Sequence, residues 1–337
     1  MSKYKIIIVG CGNISNNWLS SITKRADADI VALVDIIPSN AEIKKKEYGL
    51  DCKIFTQLEE AIATTNANMV CDLTTPAHHY SVVSTAIQAG CHVLGEKPMA
   101  NSMEEVNDIV KLVNDHDGFY AVMQNRRYLK GFRGFKELLT KETLGEVGYL
   151  GVNFFLGPHF GGFRELMDSP LILDMAIHTF DQARFLINAK PISVYCQEYN
   201  PKGSWYKGNA SAICIFEFDN GCVLNYTGSW CAHGISTPWE GQWRVQGSKG
   251  TAVYIDENNM YAEVIDETNK TKKVLPGFSW NEKTDHAGCI DEMFESVIKG
   301  KKSDTDCRDN RYSMAMVFGA IKSAKKERKI YLSKEIL

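Results

Sequence analysis

Tyr4-Lys5-Ile6-Ile7-Ile8-Val9-Gly10-Cys11-Gly12-Asn13-Ile14-Ser15 begins as an apolar run and breaks into a glycine turn. The run reads as a buried strand. The turn reads as a GxGxxG fingerprint with serine in the third glycine position. In that pattern the first glycine permits the tight turn. The second lets the backbone approach a pyrophosphate, and the helix that follows offers free N–H groups to the phosphates. Gly10, Gly12, Asn13 and Ile14 are therefore candidate cofactor-binding residues. A glycine turn after a strand is common, so its context has to decide.

The context agrees. A second apolar strand at 30–34 ends on Asp35, where an acidic residue meets the adenosine ribose. A carboxylate there accepts bonds from both ribose hydroxyls and repels a 2′-phosphate. Ile36 and Ile37 follow, with no arginine, so NAD is favoured over NADP. The other reading of Asp35 is the start of a turn before Pro38. Further strands at 70–73, 91–94 and 120–123 alternate with helix-like stretches. This rhythm predicts a doubly wound parallel sheet, an α/β Rossmann domain over residues 1–123. The strand at 91–94 runs into Gly95-Glu96-Lys97-Pro98. A lysine at the carboxyl end of a parallel strand faces the ligand crevice of such sheets. An exposed turn is the competing reading of a Lys-Pro pair, and a cis Lys97–Pro98 bond is open.

The chain has 337 residues, which suits two cores. Hydrophobic residues make up 44% and the formal net charge is -3 with mixed signs, which excludes a disordered chain and a nucleic-acid-binding stripe. Lys44-Lys45-Lys46 reads as a solvated helix face. The ten cysteines form no CxxC pair and fit buried reduced thiols rather than disulfides or a zinc site. The apolar run at 6–9 is too short for a signal-peptide core or a membrane span, so a cytoplasmic protein without membrane contact is expected.

The second domain, residues 124–337, contains Leu173-Asp174-Met175-Ala176-Ile177-His178-Thr179-Phe180-Asp181 at its centre. Helical spacing puts Asp174, His178 and Asp181 on one face. An imidazole exchanges protons near neutral pH, and a carboxylate one turn away can anchor a substrate hydroxyl or orient the ring. A surface Asp-His pair or a capping aspartate is the competing reading. No HExxH or cysteine cluster supports a metal. Strands are expected at 192–197, 210–218, 222–230, 242–246 and 251–255, with Asp219-Asn220-Gly221 as a hairpin turn. Such an order implies an α+β domain with a mostly antiparallel sheet. A last helix at about 309–325 is expected to pack against the first domain.

Taken together, Gly10-Cys11-Gly12-Asn13-Ile14, Asp35, Thr75-Pro76-Ala77-His78-His79, Glu96-Lys97-Pro98, Asn125-Arg126-Arg127-Tyr128 and Asp174…His178…Asp181 resemble the Gfo/Idh/MocA oxidoreductases, the glucose-fructose oxidoreductase and inositol dehydrogenase family. The resemblance covers essentially the whole chain. Ser15 and Ala176 depart from the family's small residues at those positions without removing a chemical group. The resemblance implies a large open sheet in the second domain that makes homodimers or homotetramers. It implies that Thr74, Thr75, Pro76, His79 and Asn125 line the cofactor cleft and that Glu96 and Lys97 approach the nicotinamide. Lys97, Asp174 and His178 would form the catalytic group, with Arg126 near the substrate. The substrates would be cyclic polyols or sugars, oxidised at a secondary alcohol.

The residues suit that chemistry. His178 is the general base, Lys97 a fixed cationic donor to the developing alkoxide, and Asp174 the anchor of a substrate hydroxyl. The loop Gly157-Pro158-His159-Phe160-Gly161-Gly162-Phe163-Arg164 precedes this helix, so His159 and Arg164 are candidate substrate contacts, or ordinary loop contacts. Trp205, Trp230, Trp239 and Trp243 lie near Gly/Pro-rich turns and read as core more than as sugar platforms. Two other functions stay open: an enzyme that oxidises its sugar only transiently, and a non-catalytic NAD or sugar sensor.

Overall fold

A computed structural model of the chain describes residues 4–337. By compactness the chain divides into two units, residues 1–125 with 283–311, and residues 126–282 with 312–337. The return of 283–311 to the first unit leaves no mark in the sequence.

The first unit alternates β1 (Tyr4–Val9), α1 (Ser15–Ile22), β2 (Ala28–Val34), α2 (Pro38–Glu47), β3 (Lys53–Phe55), α3 (Leu58–Thr65), β4 (Met69–Asp72), α4 (Pro76–Gln88), β5 (His92–Gly95), α5 (Met103–Asp115) and β6 (Tyr120–Val122). Its six strands lie in the order β3-β2-β1-β4-β5-β6, and every pairing is parallel. This is the dinucleotide-binding order, with the strand sequence reversing beside β1. Ile6, Ile7, Ile8, Val70, Cys71, Val93 and Leu94 are fully buried, because helices cover both faces of the sheet. Local chemistry starts the helices. Pro76 occupies the first turn of α4, and the Ser102 hydroxyl caps α5 by accepting from Glu105 N–H at 3.2 Å. Val106, Ile109, Val110 and Val113 give α5 its buried stripe.

The second unit carries α6 (Lys130–Glu137), β7 (Val147–Phe155), α7 (Ile177–Ile187), β8 (Pro191–Tyr199), β9 (Ser211–Phe218), β10 (Val223–Ser229), β11 (Gln242–Gly247), β12 (Gly250–Asp256), β13 (Asn259–Ile265) and β14 (Thr271–Val274). After α8 (Asp285–Ile298) of the first unit comes α9 (Cys307–Lys326), whose residues up to Arg311 count with the first unit and the rest with the second. Last come β15 (Ile330–Tyr331) and α10 (Leu332–Glu335). The nine-stranded sheet runs β14-β13-β12-β11-β7-β10-β9-β8-β15. All its pairings are antiparallel except β7 with β10. The hairpin between β9 and β10 turns at Gly221, whose φ of +82° suits glycine. One face of this sheet packs on α7, where Phe180 meets Phe216 and Tyr226 edge-on at 4.8 and 5.2 Å. Each such buried ring adds about 2–3 kcal/mol by area alone.

All ten cysteines are buried thiols. Lys44 departs from the solvated-face expectation. It is 8% exposed, because its ammonium donates to Asn16 Oδ1 at 2.5 Å and pairs with Glu47 at 2.7 Å. Lys45 donates to the Cys52 carbonyl at 2.6 Å. Both ammonium heads thus find fixed acceptors.

Candidate active site

In the first unit a cavity of about 480 Å³ opens at the carboxyl ends of the strands. Gly10, Gly12, Asp35, Thr74, Thr75 and His78 are among the residues that line it. Gly10 has φ +90°, and a Cβ there would lie 2.6 Å from the Leu73 carbonyl oxygen, so no other residue fits. A Cβ on Gly12 would enter open space, which is the room a pyrophosphate needs above the turn. Ser15 is fully buried and donates to the Gly12 carbonyl at 2.6 Å, so serine ties the turn from inside. Asn13 is exposed and Ile14 half-buried at the entry to α1.

Asp35 does more than end β2. Its carboxylate accepts from Cys11 N–H and Ile37 N–H, both at 2.8 Å, and from Asn40 at 3.3 Å. This acid is thus locked onto the glycine turn. Ile36 and Ile37 stand beside it, exposed and apolar. The residues present fit an adenosine diphosphate moiety.

Pro76 starts α4, and the half-buried Thr74 donates N–H and hydroxyl to Asp72 at 3.1 and 2.6 Å. Burial pushes the Asp72 carboxyl above its usual range, while His79 nearby works the other way. His79 is fully buried behind the cavity wall, and its neighbour His78 takes the lining position. Glu96 is 8% exposed. One of its oxygens accepts from the Trp18 indole N–H of α1 at 2.7 Å, and the other from Lys97 N–H at 3.3 Å. Lys97 is half-buried just past the end of β5, and the Lys97–Pro98 bond is cis. Asn125 donates to Asp285 at the start of α8, at 2.5 Å.

In the second unit Asp174 lies in a π-helical stretch, Leu171–Ala176, that feeds directly into α7 and His178. The wider i→i+5 winding changes the phase of the face. The winding ends before His178 and Asp181, so it is Asp174 that it turns relative to the other two. Asp181 leaves the expected trio through its partners. It pairs with Arg127 through two 2.6 Å bonds and accepts from Ser313 at 2.8 Å, all buried. Asp174 instead pairs with Arg164 at 2.9 Å. The guanidinium of Arg164 lies over Phe163 at 4.8 Å. His178 is 7% exposed. Arg126 donates to the Trp239 carbonyl and lies 3.7 Å from Glu240. His159 stacks on Trp205 with centroids 3.7 Å apart. Trp230 and Trp243 are core residues, whereas Trp239 is 44% exposed. Arg127 with Asp181 and Trp18 with Glu96 were not visible in sequence, since 54 and 78 residues separate the partners.

Among the described residues no group of three His, Cys, Asp or Glu side chains could hold a metal ion. No helix among them is long and apolar enough to cross a membrane.

The model of the oxidoreductase family, NAD-binding Rossmann fold, matches residues 4–124, and that of the oxidoreductase family, C-terminal alpha/beta domain, matches 136–332. The chain belongs to the Gfo/Idh/MocA oxidoreductase family. An inositol 2-dehydrogenase from Rhizobium meliloti is 24% identical over 97% of this chain and 98% of its own. An uncharacterized protein, y4oX from Sinorhizobium fredii, is 27% identical over 96% and 94%. The same fold recurs in an oxidoreductase from Agrobacterium radiobacter solved with NAD+, L-tartaric acid and magnesium. It has a TM-score of 0.86 at 20% identity, covering 99% of both chains. As a Gfo/Idh/MocA member with named dehydrogenases among its relatives, the protein is an oxidoreductase built on a nicotinamide-nucleotide domain.

Proposed function

We propose that this family member is an NAD-dependent dehydrogenase that oxidises a secondary alcohol of a cyclic polyol or sugar. The observation that carries the cofactor choice is Asp35, whose carboxylate is fixed on the cavity wall by Cys11 and Ile37 N–H. A 2′-phosphate would meet that charge with only the exposed Ile36 and Ile37 alongside. The resemblance to inositol 2-dehydrogenase supports the substrate class.

The roles follow from the side chains. When bound, the nicotinamide supplies the hydride acceptor. His178 takes the hydroxyl proton, as imidazole does near neutral pH. Lys97 donates a charged hydrogen bond to the oxygen as negative charge develops. Asp174, held by Arg164, accepts a hydroxyl of the substrate and selects the carbon that reacts. His159 and Arg126 border the substrate, while Asn125 and Thr74 to Pro76 border the cofactor. A second copy of the chain covers the outer face of β8 and β9, where Ile192, Tyr195, Ile213 and Ile215 are exposed.

The test is reduction of NAD or NADP, followed at about 340 nm, over a panel of inositols, hexoses and sugar acids. NAD reduction with one polyol class, lost in Lys97→Ala while folding and NAD binding persist, is the expected result. No turnover with any of the panel, with NAD shown to bind, refutes the dehydrogenase reading.

A further inference from the structure

His79 is fully buried in the first turn of α4, and both of its ring nitrogens face carbonyl oxygens. Nδ1 is 2.6 Å from the Pro98 oxygen, and Nε2 is 3.0 Å from the Thr74 oxygen. A carbonyl oxygen only accepts. Neutral imidazole has one N–H and one bare lone pair, so either neutral tautomer would press a lone pair against an oxygen. Only the doubly protonated ring donates to both. The two oxygens belong to loops at the ends of neighbouring strands, Thr74 after β4 and Pro98 after β5.

We propose that His79 is a buried imidazolium whose two N–H groups fasten the Thr74 loop of the nucleotide cavity to the Lys97–Pro98 loop, which makes it a positioning residue for Lys97. The role in turnover rests on the dehydrogenase reading above; the charge and the clamp do not.

The electrostatics can be followed group by group. A cation near a helix N-terminus opposes the helix dipole. The Asp72 carboxylate offsets it. Asp72 is fully buried at the end of β4 and holds Thr74 through Oδ1; burial pushes its carboxyl up, and the attraction of His79 works against that. Its other oxygen, Oδ2, has no hydrogen-bond partner, which leaves that charge for His79 to balance through space. His78 also faces Asp72 and acts in the same direction. Glu96, the remaining acid of these loops, is engaged by Trp18 and the Lys97 amide. Lys97 is thereby held from two sides: its own amide is tied to Glu96, and the next residue's carbonyl is tied to His79. A clamp of this kind acts on orientation rather than affinity, and small misplacements of a catalytic group cost far more in kcat than in KM.

The experiment uses the full chain labelled with nitrogen-15 in its eight histidines. The resonances of His79 are those that vanish in His79→Gln. Both ring nitrogens carrying protons at neutral pH is the expected result; one unprotonated nitrogen overturns the imidazolium. Glutamine can donate to one carbonyl but not to both. In that variant the Lys97 amide resonance is expected to move, and an unmoved resonance overturns the clamp. Turnover should fall about 10–100-fold in kcat with KM changed less than about threefold. An unchanged kcat overturns the positioning role. If wild-type protein turns over no polyol, the dehydrogenase reading fails separately, because the nitrogen and amide readouts need no substrate. Should His79→Gln not fold, sequential backbone assignment of the wild-type protein identifies the His79 ring instead, and its two nitrogens decide the charge, since a carbonyl-bonded buried imidazolium keeps both protons in slow exchange.

Discussion

Arg164 donates through Nε to Asp174 at 2.9 Å, so the acid expected to hold substrate is itself held by a loop arginine. The Arg164 side chain is 37% exposed, and the pair contributes no more than about 1 kcal/mol to folding. Its effect should fall on substrate. Arg164→Gln is expected to raise KM for the polyol about tenfold with the melting temperature nearly unchanged. Steady-state kinetics beside thermal unfolding checks this, and an unaltered KM removes Arg164 from the site.

Asp35→Asn keeps the shape of the ribose contact and removes its charge. The ratio of NADP to NAD affinity is expected to rise on the order of tenfold, a shift of about 1.4 kcal/mol. Titration of both nucleotides measures it. Equal preference before and after the change would show that Asp35 does not select the cofactor.

Arg127 and Asp181 form a buried bidentate pair, with side chains 7% and 2% exposed. Replacing one partner strands the other charge in the core. Arg127→Met should therefore destabilise the protein by about 3–5 kcal/mol. Urea unfolding reads this directly; a loss below about 1 kcal/mol would mean that water reaches Asp181.

Glu198 is 8% exposed, and burial pushes its carboxyl from 4.5 up to about 7, against the bond from Ser169 at 3.1 Å. The sign follows from linkage. A carboxyl raised in the folded state favours the neutral form, so its contribution is full below about pH 4.5 and is lost as pH rises toward 7. Wild-type protein should lose about 2–3 kcal/mol relative to Glu198→Gln between about pH 5 and pH 8. Parallel unfolding curves at the two pH values test it, and equal slopes for both proteins would place Glu198 in water.

Tyr195 and Ile215 lie opposite each other on β8 and β9, 43% and 45% exposed. A glutamate at Tyr195 would put charge into any interface made there. Tyr195→Glu is expected to shift the protein toward monomer in light scattering after gel filtration. A monomeric wild type would remove this face as an interface.

The glycine turn and the acid that line the cavity of the first unit were readable locally. Gly10, Gly12 and Asp35 lie within one β-α-β unit, where spacing along the chain dictates position in space. Lys97 was legible for the same reason, because an apolar run ending in a polar tetrapeptide marks the end of a parallel strand. Asp174 and His178 were picked out by α-helical spacing, but the winding that joins them was not visible. The π-helical winding at 171–176, which turns Asp174, carries no spacing signal, and neither does Arg127, the distant partner that engages Asp181.

By itself the sequence determined the alternation of strands and helices in the first domain, the glycine turn and the acid at the end of β2, since these depend on short-range sterics and hydrophobic period. Tertiary structure alone decided that His79 bridges two loops, that Trp18 steadies Glu96, and that residues 283–311 return to the first unit. The physical reason is common to all three. Each depends on groups distant in sequence and brought into hydrogen-bond or packing range only when the sheet closes, and no local propensity encodes which distant group arrives.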